Sequence, residues 1–103
     1  MTLNERDDRI IDVIMSLRDG EVVTYGEIAA DAGYPGLSRL VGRLLATSQD
    51  SDEIELPWWR VVNAQGRLVP GHEGEQAALL RSEAVDVSDG RVRRARFGRF
   101  AAR

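Results

Sequence analysis

Between Thr24 and Thr47, two short amphipathic patterns flank a tight turn at Tyr34-Pro35-Gly36. Thr24-Tyr25-Gly26-Glu27 has capping-box spacing and opens a helix through Ile28, Ala29 and Ala32, with Gly33 as its stop. Leu37, Leu40, Val41, Leu44 and Leu45 follow the i, i+3, i+4, i+7, i+8 pattern of a half-buried helix from about Leu37 to Thr47. Two such helices form a helix-turn-helix candidate. The outward face of the second carries Arg39, Gly42, Arg43 and Ala46, two positive charges and no acid. A mid-helix glycine costs roughly 1 kcal/mol against alanine. Either a DNA backbone or another helix approaching closely offsets that cost at Gly42. Arg39 reads as a contact to base edges or the base stack, or as a solvated charge. Tyr25 lies at a helix start, where backbone N–H groups attract phosphate, or it is a half-buried capping aromatic.

The flanking segments predict a mainly α chain with a small β-hairpin, one domain over residues 1–103. Thr2-Leu3-Asn4-Glu5 has capping-box spacing. Ile10, Ile11, Ile14 and Leu17 give an apolar stripe that Gly20 stops. Ser48 to Glu55 is an acidic loop. Arg60 to Asn63 and Arg67 to Val69 read as strands of a hairpin around Ala64-Gln65-Gly66. Gln76 to Glu83 reads as a helix with Ala77 and Leu80 inward, and Asp89-Gly90 as a turn between extended pieces.

Charge is distributed unevenly. Residues 1–53 carry five Arg against eleven Asp plus Glu, and residues 54–103 nine Arg against six acids. The formal net charge of −3 argues against nonspecific nucleic-acid binding by the whole surface. Every basic residue is Arg, whose planar guanidinium suits phosphate contacts and stacking better than an ammonium does. There is no long apolar run and no signal-peptide layout at Met1 to Asp12, so no membrane partner and a cytoplasmic location are expected. The chain has no cysteine, which removes disulfides, thiolate metal sites and a cysteine nucleophile. No metal or cofactor is expected.

Pro57-Trp58-Trp59-Arg60 holds both tryptophans of the chain. Indole is large and apolar, with one N–H donor and no useful acid–base chemistry. Tryptophan is highly buried on average, so a core anchor is the first reading of the pair.

The neighbouring motifs give a second one. Val22-Val23-Thr24-Tyr25-Gly26-Glu27-Ile28-Ala29, Ser38-Arg39-Leu40-Val41-Gly42, Leu56-Pro57-Trp58-Trp59-Arg60-Val61-Val62-Asn63, Gln65-Gly66-Arg67-Leu68 and Leu79-Leu80-Arg81-Ser82-Glu83 occur in that order. Together they resemble the DNA-binding domain of the O6-alkylguanine-DNA alkyltransferases, from Val22 to about Glu83. In that family the third piece reads Pro-Cys-His-Arg-Val, and its cysteine accepts the alkyl group. Here Trp58 stands at the cysteine position and Trp59 at the histidine position. Tryptophan in the cysteine's place marks the alkyltransferase-like proteins, which this chain resembles, although many of them keep the histidine. The alkyltransferases' extra N-terminal domain has no counterpart, as in the alkyltransferase-like group. The family's hinge asparagine is not evident; Ser48 is nearest.

The resemblance implies a winged helix-turn-helix-like fold, that of the alkyltransferase C-terminal domain. It implies minor-groove binding through Thr24, Tyr25, Ser38, Arg39, Gly42 and Arg43, with Arg39 replacing an extruded nucleotide and Tyr25 pressing on the phosphate. Extrusion costs less for a weakened pair, so O6-alkylguanine flips more easily than guanine. It implies a lesion pocket at Trp58, Arg60, Val61, Val62, Gly71 and His72, with Trp58 as an apolar wall. Arg60 is alternatively a structural donor. His72, the only histidine, is a lone loop residue without a catalytic assignment. Glu83 matches the glutamate that orients the family's histidine and, without that histidine, is assigned a structural role. Dealkylation needs an activated thiolate, so no enzyme activity is expected. The implied partners are duplex DNA carrying O6-alkylguanine, met at the nucleoid, and nucleotide excision repair proteins, with the chain a monomer. The Arg/Phe tail, Arg91 to Arg103, contacts DNA, contacts a repair protein or folds back. Two other readings stand beside this one. One is a sequence-specific winged-helix regulator without a lesion pocket; the other is an enzyme with an unrecognised nucleophile.

Overall fold

The computed structural model describes residues 4–50 and 55–101. The elements run α1 (Glu5–Met15), β1 (Val23–Thr24), α2 (Tyr25–Asp31), α3 (Ser38–Gln49), a 3-10 turn (Trp58–Arg60), β2 (Val61–Val62), α4 (Glu73–Ser82), β3 (Asp86–Ser88) and β4 (Arg91–Arg94). The chain is mainly helical, with two small strand pairs. It forms two compact units that interleave in sequence: Met1–Ser16 with Tyr25–Trp58, and Leu17–Thr24 with Trp59–Arg103. No helix among the described residues is long and apolar enough to cross a membrane.

The first unit packs α1, α2 and α3 against one another. Ile10 and Ile14 of α1, Ile28 and Ala29 of α2, and Val41 and Leu45 of α3 are buried. Asn4 caps α1, its side chain accepting from the Asp7 N–H at 2.8 Å. Thr2 and Leu3 of the expected capping box lie outside the described residues. The α1 helix ends at Met15 rather than at Gly20. The Ser16 hydroxyl donates to the Val13 carbonyl at 2.7 Å, and the chain turns at Arg18–Glu21 instead, the Glu21 N–H donating to the Arg18 carbonyl. Gly33 closes α2 as expected, with a positive φ of 95° that suits glycine. The Tyr34 N–H reaches the Ala29 carbonyl and the Gly33 N–H the Ala30 carbonyl, so two end carbonyls of α2 are satisfied.

The second unit is built on a cluster of Val22, Val62, Leu68, Ala77, Leu80, Val85, Val87, Val92 and Ala95, with Trp59 and Phe100 packed on it. Here β1 and β2 pair in parallel, Val23 with Val61 and Thr24 with Val62. The expected hairpin over residues 60–69 is not the ladder that forms. Asn63 does organise a turn, its side chain accepting from the N–H groups of Gln65 and Arg67 at 3.0 and 2.9 Å. Beyond it, Arg67 bridges Arg91, and the Leu68 N–H donates to the Gly90 carbonyl. The hairpin is β3–β4, turned at Asp89-Gly90 with φ of 53° and 72°, the pair of positive φ values that a tight hairpin turn demands. The described part of the Arg/Phe tail, as far as Ala101, folds back on this unit: the N–H groups of Arg96 and Phe97 donate to the Gly20 carbonyl.

Candidate nucleic-acid interface

In the first unit, the outward face of α3 is open. Arg39, Arg43 and Ala46 are exposed, and neither arginine forms a hydrogen bond or ion pair among the described residues. Gly42 lies between them, half-buried. A Cβ built there would stand 3.8 Å from Cε1 and 3.9 Å from Cδ1 of Tyr25, ordinary contact distances. Helix packing therefore does not require glycine at this position. The tyrosine ring lies beside α3 at this point, half-buried, and burial raises its hydroxyl pKa above the ordinary value. At neutral pH the phenol is a neutral donor. Ser38 begins α3 and is half-buried. Thr24, which belongs to the second unit, is only 4% exposed, a strand residue rather than a surface one. Trp58 opens the 3-10 turn, half-buried, its N–H donating to the Leu56 carbonyl at 2.7 Å.

The second unit holds the remaining sequence candidates. Trp59 donates its indole N–H to Oε2 of Glu83 at 2.7 Å. Arg60 donates through Nη2 to the same oxygen at 2.8 Å and through Nε to Oε1 at 2.9 Å. The Gly20 N–H donates to Oε1 at 2.8 Å. Burial works to raise the Glu83 pKa, but the donors from Arg60, Gly20 and Trp59 outweigh it, and the carboxyl sits below its ordinary value. Arg60 is fully engaged: Nη1 donates to the Leu17 carbonyl at 2.9 Å and Nη2 also reaches Asp19 at 3.1 Å. Of its two sequence roles, the structural donor is the one observed. Glu83 has the structural role that the motif order suggested, and Trp59 supplies a hydrogen bond that the sequence did not disclose.

Val61 and Val62 are fully buried, backbone included, and pair with β1, so neither lines an open surface as the pocket expectation had it. Gly71 and His72 are exposed in the loop before α4. Sequence reasoning missed Gln76, which is 0% exposed. Its amide donates to the carbonyls of Trp59 at 3.1 Å and Val61 at 3.2 Å, and its oxygen accepts from the Val69 N–H at 2.7 Å. It joins the Trp59–Val61 segment to the start of the 69–72 loop. A polar residue on the same helix side as Ala77 and Leu80 was the available signal.

Chemically, these groups donate hydrogen bonds and positive charge. The chain contains no thiol. Among the described residues no cluster of three His, Asp or Glu is placed to hold a metal ion.

Residues 5–85 match the family described as 6-O-methylguanine DNA methyltransferase, DNA binding domain. A DNA base-flipping protein of Vibrio parahaemolyticus is 41% identical over 83 residues, covering 79% of this chain and 81% of that protein. Alkyltransferase-like protein 1 of Schizosaccharomyces pombe is 32% identical over 91 residues, covering 84% and 82%. The crystal structure of the S. pombe protein in complex with damaged DNA containing O6-carboxymethylguanine matches with a TM-score of 0.71 at 30% identity, over 85% of this chain and 83% of that one. With tryptophan at the cysteine position and no cysteine anywhere, the chain belongs to the 6-O-methylguanine-DNA methyltransferase DNA-binding family as an alkyltransferase-like protein.

Proposed function

We propose that this protein recognises O6-alkylguanine in duplex DNA and does not remove the alkyl group. The observation that carries the reading is the face of α3, where two exposed arginines, without side-chain partners among the described residues, flank a glycine that packing does not require. A bare backbone and two guanidiniums suit a phosphate-lined groove. The relatives support the rest: one is named for base flipping and another is crystallised on alkylated DNA. In this reading Arg39 fills the space of the extruded nucleotide, Tyr25 donates its phenol to the neighbouring phosphate, and Trp58 walls the alkyl group. Without a thiol the alkyl group has no acceptor.

Binding that cannot reverse damage acts as a flag, and the bound lesion passes to nucleotide excision repair. The protein then works in the cytoplasm, on the nucleoid. The deciding experiment compares duplex affinity for guanine and O6-methylguanine at fixed salt, then assays the same duplex for loss of the methyl group. Selective binding with the methyl retained is the expected result. Equal affinities would leave an ordinary winged-helix regulator, and methyl loss would reveal an enzyme. The hand-over is tested in cells, where deleting this gene in a strain already lacking excision repair should add no further alkylation sensitivity.

A further inference from the structure

Beyond residue 85 the chain leaves the span that matches the family, and there β3–β4 and the segment after it carry five arginines, Arg91 to Arg99, against Asp86 and Asp89. Within this unit opens a concavity of about 490 Å³, lined by Ala84, Asp86, Arg94, Ala95, Arg96 and Phe97. Its apolar part is Ala84, the buried Ala95 and the half-buried Phe97. Arg94 is exposed and forms no hydrogen bond or ion pair among the described residues. The Arg96 guanidinium lies over the Phe97 ring, at 5.3 Å. Arg18 covers the same ring at 4.0 Å.

We propose that this concavity docks an acidic peptide segment of a partner protein, one that also carries an apolar side chain. The two guanidiniums pair with carboxylates, the apolar side chain rests on Ala84 and Phe97, and Asp86 accepts a peptide N–H. The volume falls within the roughly 300–1,000 Å³ of sites that enclose small ligands. A DNA backbone fits less well. It is a convex polyanion that gains nothing from an apolar floor, and its phosphates offer Asp86 no N–H donor. The proposal stands apart from the lesion reading, because none of the lining residues is one that the lesion reading uses.

The test titrates the full chain with a synthetic peptide of Asp and Glu interrupted by Leu and Phe. A second peptide of equal charge lacks Leu and Phe, and an undamaged duplex is the third arm. The first peptide should bind and shift the amide resonances of Ala84, Ala95 and Phe97. Replacing Arg94→Gln together with Arg96→Gln should weaken it on the order of tenfold, with the thermal midpoint and the lesion-to-guanine selectivity unchanged. Equal binding of the second peptide reduces the site to bare charge attraction and overturns the proposal. So does the absence of shifts at those residues. A loss of duplex affinity as large as the loss of peptide affinity makes the surface a DNA contact and overturns it too.

Discussion

The indole N–H of Trp59 and the carboxylate of Glu83 form a 2.7 Å hydrogen bond, so a side chain with no acid–base chemistry serves as donor where the motif order suggests a histidine. The glutamate that resembles a relay partner is instead the hub of a structural cluster. Replacing Trp59→Phe keeps most of the ring packing and removes the donor. It should cost about 1–3 kcal/mol in denaturant unfolding, the range for a buried acceptor that loses a partner. An unchanged midpoint would show that the indole contributes packing alone.

Glu83 makes stability sensitive to acid. Its folded pKa is depressed, so the unfolded chain binds the proton more readily, and stability rises with pH across this interval. The contribution is complete above the ordinary glutamate value of about 4.3 and is lost as pH falls through the folded value. Glu83→Gln should lower stability at neutral pH and flatten the acid limb of a stability-versus-pH curve. The loss of a charge partner for Arg60, itself only 14% exposed, sets a scale of roughly 3–5 kcal/mol for the more drastic Glu83→Ala.

Gly42 separates stability from binding. Alanine fits at ordinary contact distance from Tyr25, so Gly42→Ala should raise unfolding free energy by up to about 1 kcal/mol through helix propensity. The same methyl group should weaken binding to O6-methylguanine duplex. A variant that gains stability and keeps full affinity would show that no backbone approaches α3 there.

The two arginines of α3 should behave differently. Arg39→Ala should cut lesion affinity by at least about tenfold, near 1.4 kcal/mol, and reduce the preference for lesion over guanine. Arg43→Ala should weaken damaged and undamaged duplex alike and lower the salt slope by about 0.9, one phosphate contact. Identical effects of the two substitutions would remove the distinction between intercalation and phosphate binding.

Ala84 stores a small strain. It ends α4 at a φ of 64°, with the N–H of Val85 donating to the Leu80 carbonyl and its own N–H to the Arg81 carbonyl. That left-handed position favours glycine. Ala84→Gly should stabilise the protein by up to about 1 kcal/mol, measured by thermal melting.

Much of this was legible where the signal is local. The period of α2 and α3, the stop at Gly33 and the turn at Asp89-Gly90 depend on residues a few positions apart, and all are present. The outward placement of Arg39 and Arg43 followed from the same period. What stayed hidden depends on distant partners. Arg67 bonds to Asn63 but forms its bridge with Arg91, so the ladder expected over residues 60–69 does not form. Gly20 looked like a helix stop, yet it serves as donor to Glu83 and acceptor for Arg96 and Phe97. Gln76 is buried because carbonyls at Trp59 and Val61 await its amide, a need that periodicity does not encode. Motif order placed Trp59 at the histidine position, but only geometry revealed that it keeps a donor there.

The interleaving of the two units has a consequence for how the molecule comes into being. Residues 17–24 emerge from a ribosome long before Val61 and Val62, the strand that β1 pairs with, and before Glu83, which receives the Gly20 N–H. The helix-turn-helix can assemble early from neighbouring helices, while the segment threaded between α1 and α2 waits for the second half of the chain. Late, non-local closure of this kind slows folding. A nascent chain halted near residue 58 would therefore hold the three helices of the first unit while Glu83, the acceptor of the Gly20 N–H, is not yet made.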